Sequence, residues 1–413
     1  MTRPALSRLL PPHPTRRFRE NPAPAPGLPD DVIALLAADE DVHVPAALAT
    51  WATLDPALAA DLARHPHAEV RRGLALNPRT PPALLAALAD GGMPAPRHCF
   101  GCLPHPDHRR EEPCDGGHET AVAGIAYAVA ENPATPGAAV VPLAAHPWTA
   151  VRAAVAARRD QPPRVYGALA ADPIPGVRGA LAENPAVGEE VIRELAADDG
   201  YDVRRCLAHN PAVPLDVLTG LAATTRIGPV LLPRVAAATD AEVRQLAAAR
   251  VPAARMLVAR RRDLPADVRD ALAQDPDVKV VAAVADHAAL TATQLAAMVA
   301  RFGAKVATAV ARNPGCPPDL LHRLAVDSPG GRRVFREITR HAATRADTLE
   351  LCLAQPAARA DVAAHPALPL PILAGLLDDP DPAVVEAAAA NPALPASVMR
   401  RLLTPPAGNA LPG

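Results

Sequence analysis

Pairs of aliphatic residues four positions apart recur along the chain with a spacing of about 26 residues. Side chains at positions i and i+4 lie on one face of an α-helix, so each pair indicates a short amphipathic helix. The pairs stand seven and three residues before an Asn-Pro dipeptide, or before the position in register with it. This self-similarity predicts a solenoid of stacked repeats that bury one another's apolar faces. The pairs are Val44/Leu48, Val70/Leu74, Ile125/Val129, Val151/Val155, Val177/Leu181, Val203/Leu207, Val280/Val284 and Val306/Val310.

Each repeat carries signals for two helices that meet at the Asn-Pro corner. Stretches such as "NPRTPPALLAAL" and "NPAVPLDVLTGL" predict a first helix after the corner. An Asp or His stands twelve residues before the corner, usually followed by Pro, and this predicts the N-cap and first residue of a second helix. The side chain of the corner Asn is expected to bond free backbone groups at the bend. The predicted N-cap residues are Asp39, His65, His146, Asp172, Asp198, Asp275 and Asp379.

The repeats predict a single solenoid over residues 25–404, with about thirteen units. The register is blurred at residues 211–260 and again at 314–364. Residues 1–24 form a basic, Pro-rich N-terminal tail, and residues 405–413 are expected to be a flexible C-terminal tail.

The unit "NPAVPLDVLTGLAA", with its following Asp, Val-Arg and Leu-Ala columns, resembles the leucine-rich repeat variant (LRV) proteins. The resemblance covers most of the chain, whereas HEAT-like helical repeats share much of the pattern but have longer units. It implies an all-α fold: a right-handed solenoid of short helix pairs, α/α or α/3₁₀, with repeats of about 26 residues. The resemblance implies architecture more than activity.

Residues 91–119 form a Cys/His-rich insertion within the third repeat, and its residues 98–119 read "HCFGCLPHPDHRREEPCDGGHE". The distance between the corners Asn77 and Asn132 exceeds one repeat by 29 residues, and the extra stretch has no aliphatic pattern. The spacing C-x2-C-x11-C-x3-H is typical of a tetrahedral zinc site, which supplies folding energy to a loop without a core. The predicted zinc ligands are Cys99, Cys102, Cys114 and His118.

Two other interpretations of the insertion remain open. His98, His105 and His108 compete for the fourth ligand position, and the loop could also hold no metal. The LRV resemblance implies a 4Fe-4S cluster as the alternative cofactor, because some LRV proteins carry a cysteine module for one. Such a cluster prefers four cysteines, and only three lie close together here.

One arginine per repeat follows the inward Val or its equivalent and forms a column along one edge of the predicted solenoid. The column is interpreted either as a solvated face that pairs with acidic residues of neighbouring repeats, or as a strip that binds an acidic partner. Further positive charge lies at residues 244–262, with six arginines and no acid, and at 301–345, with nine Lys or Arg against three acids. The column contains Arg71, Arg152, Arg178, Arg204, Arg255 and Arg359.

Composition narrows the functional classes. The 413 residues have a net charge of −2, and 2% of them are aromatic, which disfavours nucleic-acid binding. Six cysteines are too few for a disulfide framework, and no apolar run approaches the roughly 20 residues of a membrane span. No catalytic motif is present, so we predict a cytoplasmic, non-enzymatic scaffold for a protein partner, with no membrane association. The alternatives are an iron–sulfur or metal-dependent redox sensor, and duplex nucleic-acid binding through the basic face.

Overall fold

A computed structural model describes residues 29–39, 41–90, 93, 94, 96, 99, 119–328 and 331–403. All regular secondary structure in these ranges is helical. First helices pack on first helices of the adjacent repeats and second helices on second helices, which confirms the all-α solenoid of short helix pairs. Its handedness stays a prediction.

The chain divides into two compact units, Met1–Val217 and Leu218–Gly413. The boundary falls in the region where the sequence register is blurred. In unit 1 the first helices are α1 (Asp30–Ala37), α3 (Pro56–Ala63), α5 (Pro82–Ala89), α7 (Gly137–Val140, continued by a 3₁₀ turn Val141–Ala145), α9 (Pro163–Ala170) and α11 (Glu189–Ala196). The second helices are α2 (His43–Trp51), α4 (Ala68–Leu76), α6 (Glu119–Glu131), α8 (Thr149–Ala157), α10 (Pro175–Ala182) and α12 (Tyr201–Ala208).

Helix α13 (Leu215–Thr224) contains the boundary, and unit 2 continues the alternation. Its first helices are α15 (Asp240–Ala247), α17 (Ala266–Ala273), α19 (Ala292–Phe302), α21 (Pro318–Asp327), α23 (Ala346–Leu353), α25 (Leu370–Leu376) and α27 (Ala396–Leu403). Its second helices are α14 (Pro233–Ala236), α16 (Pro252–Val258), α18 (Val278–Val284), α20 (Ala304–Arg312), α22 (Arg332–Arg340), α24 (Arg359–Ala363, preceded by a 3₁₀ turn Pro356–Ala358) and α26 (Pro382–Ala389). Most pairs are therefore of the α/α kind.

The predicted aliphatic pairs form the core of both units. Every member of the eight pairs is at most 6% exposed, so this prediction is confirmed. Burying a Val or Leu side chain contributes about 1.5–3 kcal/mol, and each repeat supplies two from its second helix. A fully buried Ala also stands two residues before the corner, as at Ala156, Ala182 and Ala285. These small residues allow close stacking and explain a core with few aromatic rings.

The predicted N-cap positions were wrong: the N-cap lies two residues later at six of them, and three residues later at Asp39. Helix α10 has Ile174 as its N-cap, whereas Asp172 lies in the preceding turn and its Oδ1 accepts the Ile174 N–H at 2.9 Å. Asp198 and Asp275 make the same bond to the residue two positions later. The Asp-Pro pair therefore shapes the turn before the helix, because Pro fixes the backbone there and the carboxylate bonds the next free N–H.

The blurred register at 314–364 has a simple structural cause. The corner positions after Asn313 are occupied by His341 and His365, which lie 28 and then 24 residues further on. One repeat is two residues longer and the next is two residues shorter, so the normal register returns at Asn391. The helix pairs persist through this region although the sequence period does not.

Candidate functional site

The corner asparagines join each repeat to the one before it. The buried Asn210 Nδ2 donates to the carbonyl oxygens of Ala182 and Asn184, each at 2.8 Å. Its Oδ1 accepts the N–H of Ala212 at 2.8 Å. The sequence predicted bonds within the bend, and the structure adds the donation to the preceding repeat. Asn77, Asn132, Asn184, Asn313 and Asn391 make the equivalent contacts.

Arginine replaces asparagine at two corners and performs the same task. Arg158 Nη1 donates to the carbonyls of Ala130 and Asn132 at 3.1 and 2.9 Å, and the guanidinium pairs with Asp160 two residues later. Arg261 pairs with Asp263 in the same way and donates to two carbonyls of the preceding repeat. Sequence reasoning missed both arginines because it searched the column for Asn. The Asp two positions after each Arg was the available signal.

The arginine column forms ion pairs with the next repeat. Arg178 Nε and Nη2 donate to the two carboxylate oxygens of Asp198 at 2.6 and 3.1 Å, with the side chains 16% and 8% exposed. Arg152 pairs with Asp172 at 2.6 Å, and Arg255 pairs with Asp275 at 2.6 Å. A bidentate arginine–carboxylate pair is geometrically specific, so each pair fixes the register of two adjacent repeats.

The remaining members of the column are also engaged. Arg359 pairs with Asp379, Arg204 donates to the carbonyl of Asp198, and Arg71 donates to the carbonyls of His65 and Pro94. Four arginines of the column, Arg152, Arg178, Arg255 and Arg359, therefore pair with an Asp of the next repeat, in agreement with one of the two interpretations drawn from the sequence. The carboxylates in these pairs are 2–8% exposed, so they do not belong to a solvated face. Binding of an acidic partner by these six arginines stays a prediction.

Two histidines take the place of the turn-shaping Asp in unit 1. The Nδ1 atoms of His65 and His146 each accept a backbone N–H two residues later, at 3.1 Å. Burial lowers the pKa of both imidazoles, and the positive charge of a neighbouring arginine lowers it further. Only the neutral ring accepts the hydrogen bond at Nδ1.

We expect unit 1 to lose stability on mild acidification. The folded-state pKa lies below the value of about 6.5 in the unfolded chain, so the unfolded chain binds more protons as the pH falls below this value. Stability present above about pH 6.5 is then lost as the pH falls through the folded-state pKa. The Arg178 guanidinium lowers the pKa of Asp198, so this ion pair persists in the same range.

Urea unfolding followed by tryptophan fluorescence at about pH 7.5 and about pH 5.5 measures the effect. Both tryptophans of the chain, Trp51 and Trp148, belong to unit 1. His146→Asp, which restores the residue type found at Asp172 and Asp198, should reduce the fall in the urea midpoint. An identical midpoint at the two pH values in the native protein would show that these imidazoles do not titrate on unfolding.

The outward side of the second helices differs from repeat to repeat. We define the outward column as the residue directly before the inward aliphatic residue. In unit 1 it holds His43, Glu69, Gly124, Ala150, Gly176 and Asp202. In unit 2 it holds Lys279, Lys305 and Arg333 on the consecutive helices α18, α20 and α22, and Ala383 on α26. The inward neighbour of each of these residues is Val or Ile.

Most of the predicted zinc site lies outside the described residues. Cys102, Cys114 and His118 fall there, as do the competing ligands His98, His105 and His108. Cys99 is described, and it is 5% exposed. Arg71 of α4 donates to the carbonyl of Pro94, which ties this part of the insertion to the repeat.

A groove of about 570 Å³ lies beside Cys99. Arg72, Tyr127 and Trp148 contribute to its walls, which come from α4, α6 and the residue before α8. Tyr127 donates a hydrogen bond to Glu131, and this bond raises the pKa of the Tyr127 phenol to about 12. Trp148 is half-buried and lines this groove.

Among the described residues, no three His, Cys, Asp or Glu side chains are grouped so that they can hold a metal ion. In the same ranges, no helix combines the length and the apolar character needed to cross a bilayer. Comparison with known proteins gave no match to a family model and no match to a curated protein.

Proposed function

We propose that the protein is a non-catalytic scaffold for protein–protein interaction, built from LRV-type repeats and acting in the cytoplasm. The observation that carries this proposal is the contrast between the two sides of the second helices. Positions that hold the stack keep one structural role: the inward residue is a buried aliphatic one, and the corner residue, whether Asn, Arg or His, bonds a carbonyl of the preceding repeat. Positions in the outward column change in size and charge from one repeat to the next.

A repeat protein in which some positions hold the stack and others vary at the surface is suited to binding a partner. Stacked repeats present an extended surface, and each repeat contacts only its neighbours. Residues of the outward column can therefore change without disturbing the bonds between repeats. A surface whose charge differs between neighbouring repeats can discriminate among partners by attraction and repulsion.

Selection of peptides from a phage-displayed random library on the full-length protein tests the scaffold function. We expect enrichment of peptides whose binding is weakened by substitutions in the outward column. Substitutions of exposed residues on first helices serve as the control. Failure to enrich any peptide would contradict a scaffold function.

We also propose that the insertion binds one zinc ion through Cys99, Cys102, Cys114 and His118. The support is the spacing of the ligands, together with the burial of Cys99 beside the groove. Zinc would close the loop and fix its position on the repeats. A 4Fe-4S cluster remains the alternative cofactor for a redox sensor.

Metal analysis of the purified protein is expected to find one zinc per chain. Cys102→Ser should lower the zinc content at least about tenfold, because a thiolate ligand is lost. The control is Cys206→Ser, since burial raises the pKa of the Cys206 thiol to about 11 and keeps it protonated. Iron with labile sulfide after anaerobic purification would show that the cofactor is the 4Fe-4S cluster and not zinc. Equal zinc content in Cys102→Ser and Cys206→Ser would contradict the assignment of the ligands.

A further inference from the structure

We propose that unit 2 binds an acidic peptide segment of its partner on a cationic face formed by Lys279, Lys305, Arg333 and Arg336. This inference rests on the proposed scaffold function and specifies where the partner docks and which chemistry it offers. The first three residues belong to the outward column, and Arg336 lies one turn beyond Arg333 on α22.

The fold places these cations in a row. Helices α18, α20 and α22 are second helices of consecutive repeats, and each packs on the next. Lys279, Lys305 and Arg333 each precede a buried valine, and all three are exposed. The three stacked helices α18, α20 and α22 therefore each present a positive charge at the equivalent position of the repeat.

The charges of the cationic face are available to a partner. Within the described part of the chain, its four cations have no carboxylate partner. Their basic neighbours differ, because Arg312 pairs with Glu337 at 3.0 Å and Arg340 with Asp361 at 3.3 Å. The arginine column is satisfied as well, for example by the Arg255–Asp275 pair at 2.6 Å. The cationic face therefore presents four positive charges that no carboxylate of the described residues neutralises.

Small side chains separate the cations and leave room for a docked chain. Ala282 follows Lys279 by one turn, and Thr308 and Ala309 follow Lys305. All three are half-buried, so a ligand can approach the helix surface closely between the long basic side chains. Carboxylates spaced along an extended peptide can then pair with cations from successive repeats.

The pattern favours an acidic peptide over a nucleic-acid backbone. Glu337 on α22 and Asp361 on α24 belong to the same stack of helices, and Asp286 follows the end of α18. These carboxylates would repel a continuous row of phosphates. The one aromatic residue of α22, Phe335, is 3% exposed and cannot stack on a base. A peptide of mixed sequence can place its acidic side chains opposite the cations alone. In unit 1 the outward column holds Glu69 and Asp202, which would repel the same ligand.

The test compares two triple variants of the full-length protein that change the net charge equally. The first is Lys279→Glu/Lys305→Glu/Arg333→Glu. The matched control is Arg250→Glu/Arg262→Glu/Arg323→Glu, which reverses exposed cations of unit 2 outside the second helices. The probes are peptides selected on the wild-type protein from a random phage-displayed library, a fluorescein-labelled peptide of alternating Glu and Ala, and a labelled DNA duplex. Binding is measured by fluorescence anisotropy at low and high salt, with circular dichroism as the check on folding.

We expect the selected peptides to be rich in Asp and Glu, and their affinity to fall at least about tenfold in the first variant. The control should change it less than about twofold, and added salt should weaken binding to the wild type. If the first variant is misfolded, the corresponding Gln triple variant takes its place, with the same expected loss.

Two results overturn the cationic face while leaving the scaffold intact. The first is enrichment of peptides that lack acidic residues, or that bind the first variant as tightly as the wild type. The second is DNA that binds more tightly than the acidic peptide and loses affinity in the same variant. Failure to enrich any peptide contradicts the scaffold and the cationic face together.

Discussion

Replacement of Asn210 by Ala is expected to lower the free energy of unfolding of unit 1 by about 3 kcal/mol or more. Asn210 is 0% exposed, and its side chain makes three hydrogen bonds, to Ala182, Asn184 and Ala212. Ala182 ends α10, so its carbonyl has no partner further along the helix. Each buried group left without a partner costs about 1–3 kcal/mol.

Asn210→Asp separates hydrogen bonding from packing. Asp has nearly the same volume and keeps the acceptor for the Ala212 N–H, but it has no hydrogen to donate to the two carbonyls. We expect it to cost at least as much as Ala, because a carboxylate oxygen would face two carbonyl oxygens. Urea unfolding followed by tryptophan fluorescence reports on unit 1 and measures both variants. If both variants lowered the free energy of unfolding by less than about 1 kcal/mol, the hydrogen bonds of the Asn210 side chain would contribute little to stability.

Replacement of Arg178 by Met is expected to cost about 3–5 kcal/mol, because it leaves the Asp198 carboxylate without its counter-ion. That carboxylate is 8% exposed and is held 2.6 Å from the guanidinium. Met retains much of the apolar stem, so lost packing contributes little. The penalty arises mainly from a buried charge without compensation.

The double variant Arg178→Met/Asp198→Asn provides the control. Asn keeps an oxygen to accept the Gly200 N–H at this turn while removing the charge. We expect the double variant to be more stable than Arg178→Met alone, and the double-mutant cycle then gives the coupling between the two repeats. Equal stability of Arg178→Met and the wild type would show that water solvates the Asp198 carboxylate as well as the Arg178 guanidinium does.

The sequence predicted the helix pairs because their apolar residues recur with the helical period and because one spacing links all repeats. Contacts between repeats were harder to predict, because they join residues far apart in the chain. Arg178 and Asp198 stand in two separate columns, and nothing local signals that the first bonds the second in the following repeat. The turn at Asp172 was misassigned for a related reason: an Asp-Pro pair fits both an N-cap and an Asx turn, and the choice depends on where the next helix can pack.

The two candidate sites also differ in whether local sequence is enough to predict them. The ligand spacing in the insertion is a local signal, so a zinc site could be predicted without the fold. The cationic face depends on which side of α18, α20 and α22 is exposed and on which cations already have partners. A count of basic residues over 301–345 mixes Arg312, which is paired with Glu337, with Lys305, which has no carboxylate partner among the residues that the structure describes. Only the three-dimensional arrangement separates these two classes.

The bonds of four corner asparagines, Asn184, Asn210, Asn313 and Asn391, span the same numbers of residues, and this has a consequence for how the protein can change in length. Asn184 and Asn210 each bond carbonyls 28 and 26 positions earlier, and Arg152 and Arg178 each reach an Asp 20 positions later. Deleting one whole period would bring the same atom types together at the new junction, whereas deleting a few residues would break both sets of bonds. Duplication or loss of the coding sequence for one repeat can therefore lengthen or shorten the binding surface by whole repeats. Partners of different sizes can then be accommodated without changes to the core residues.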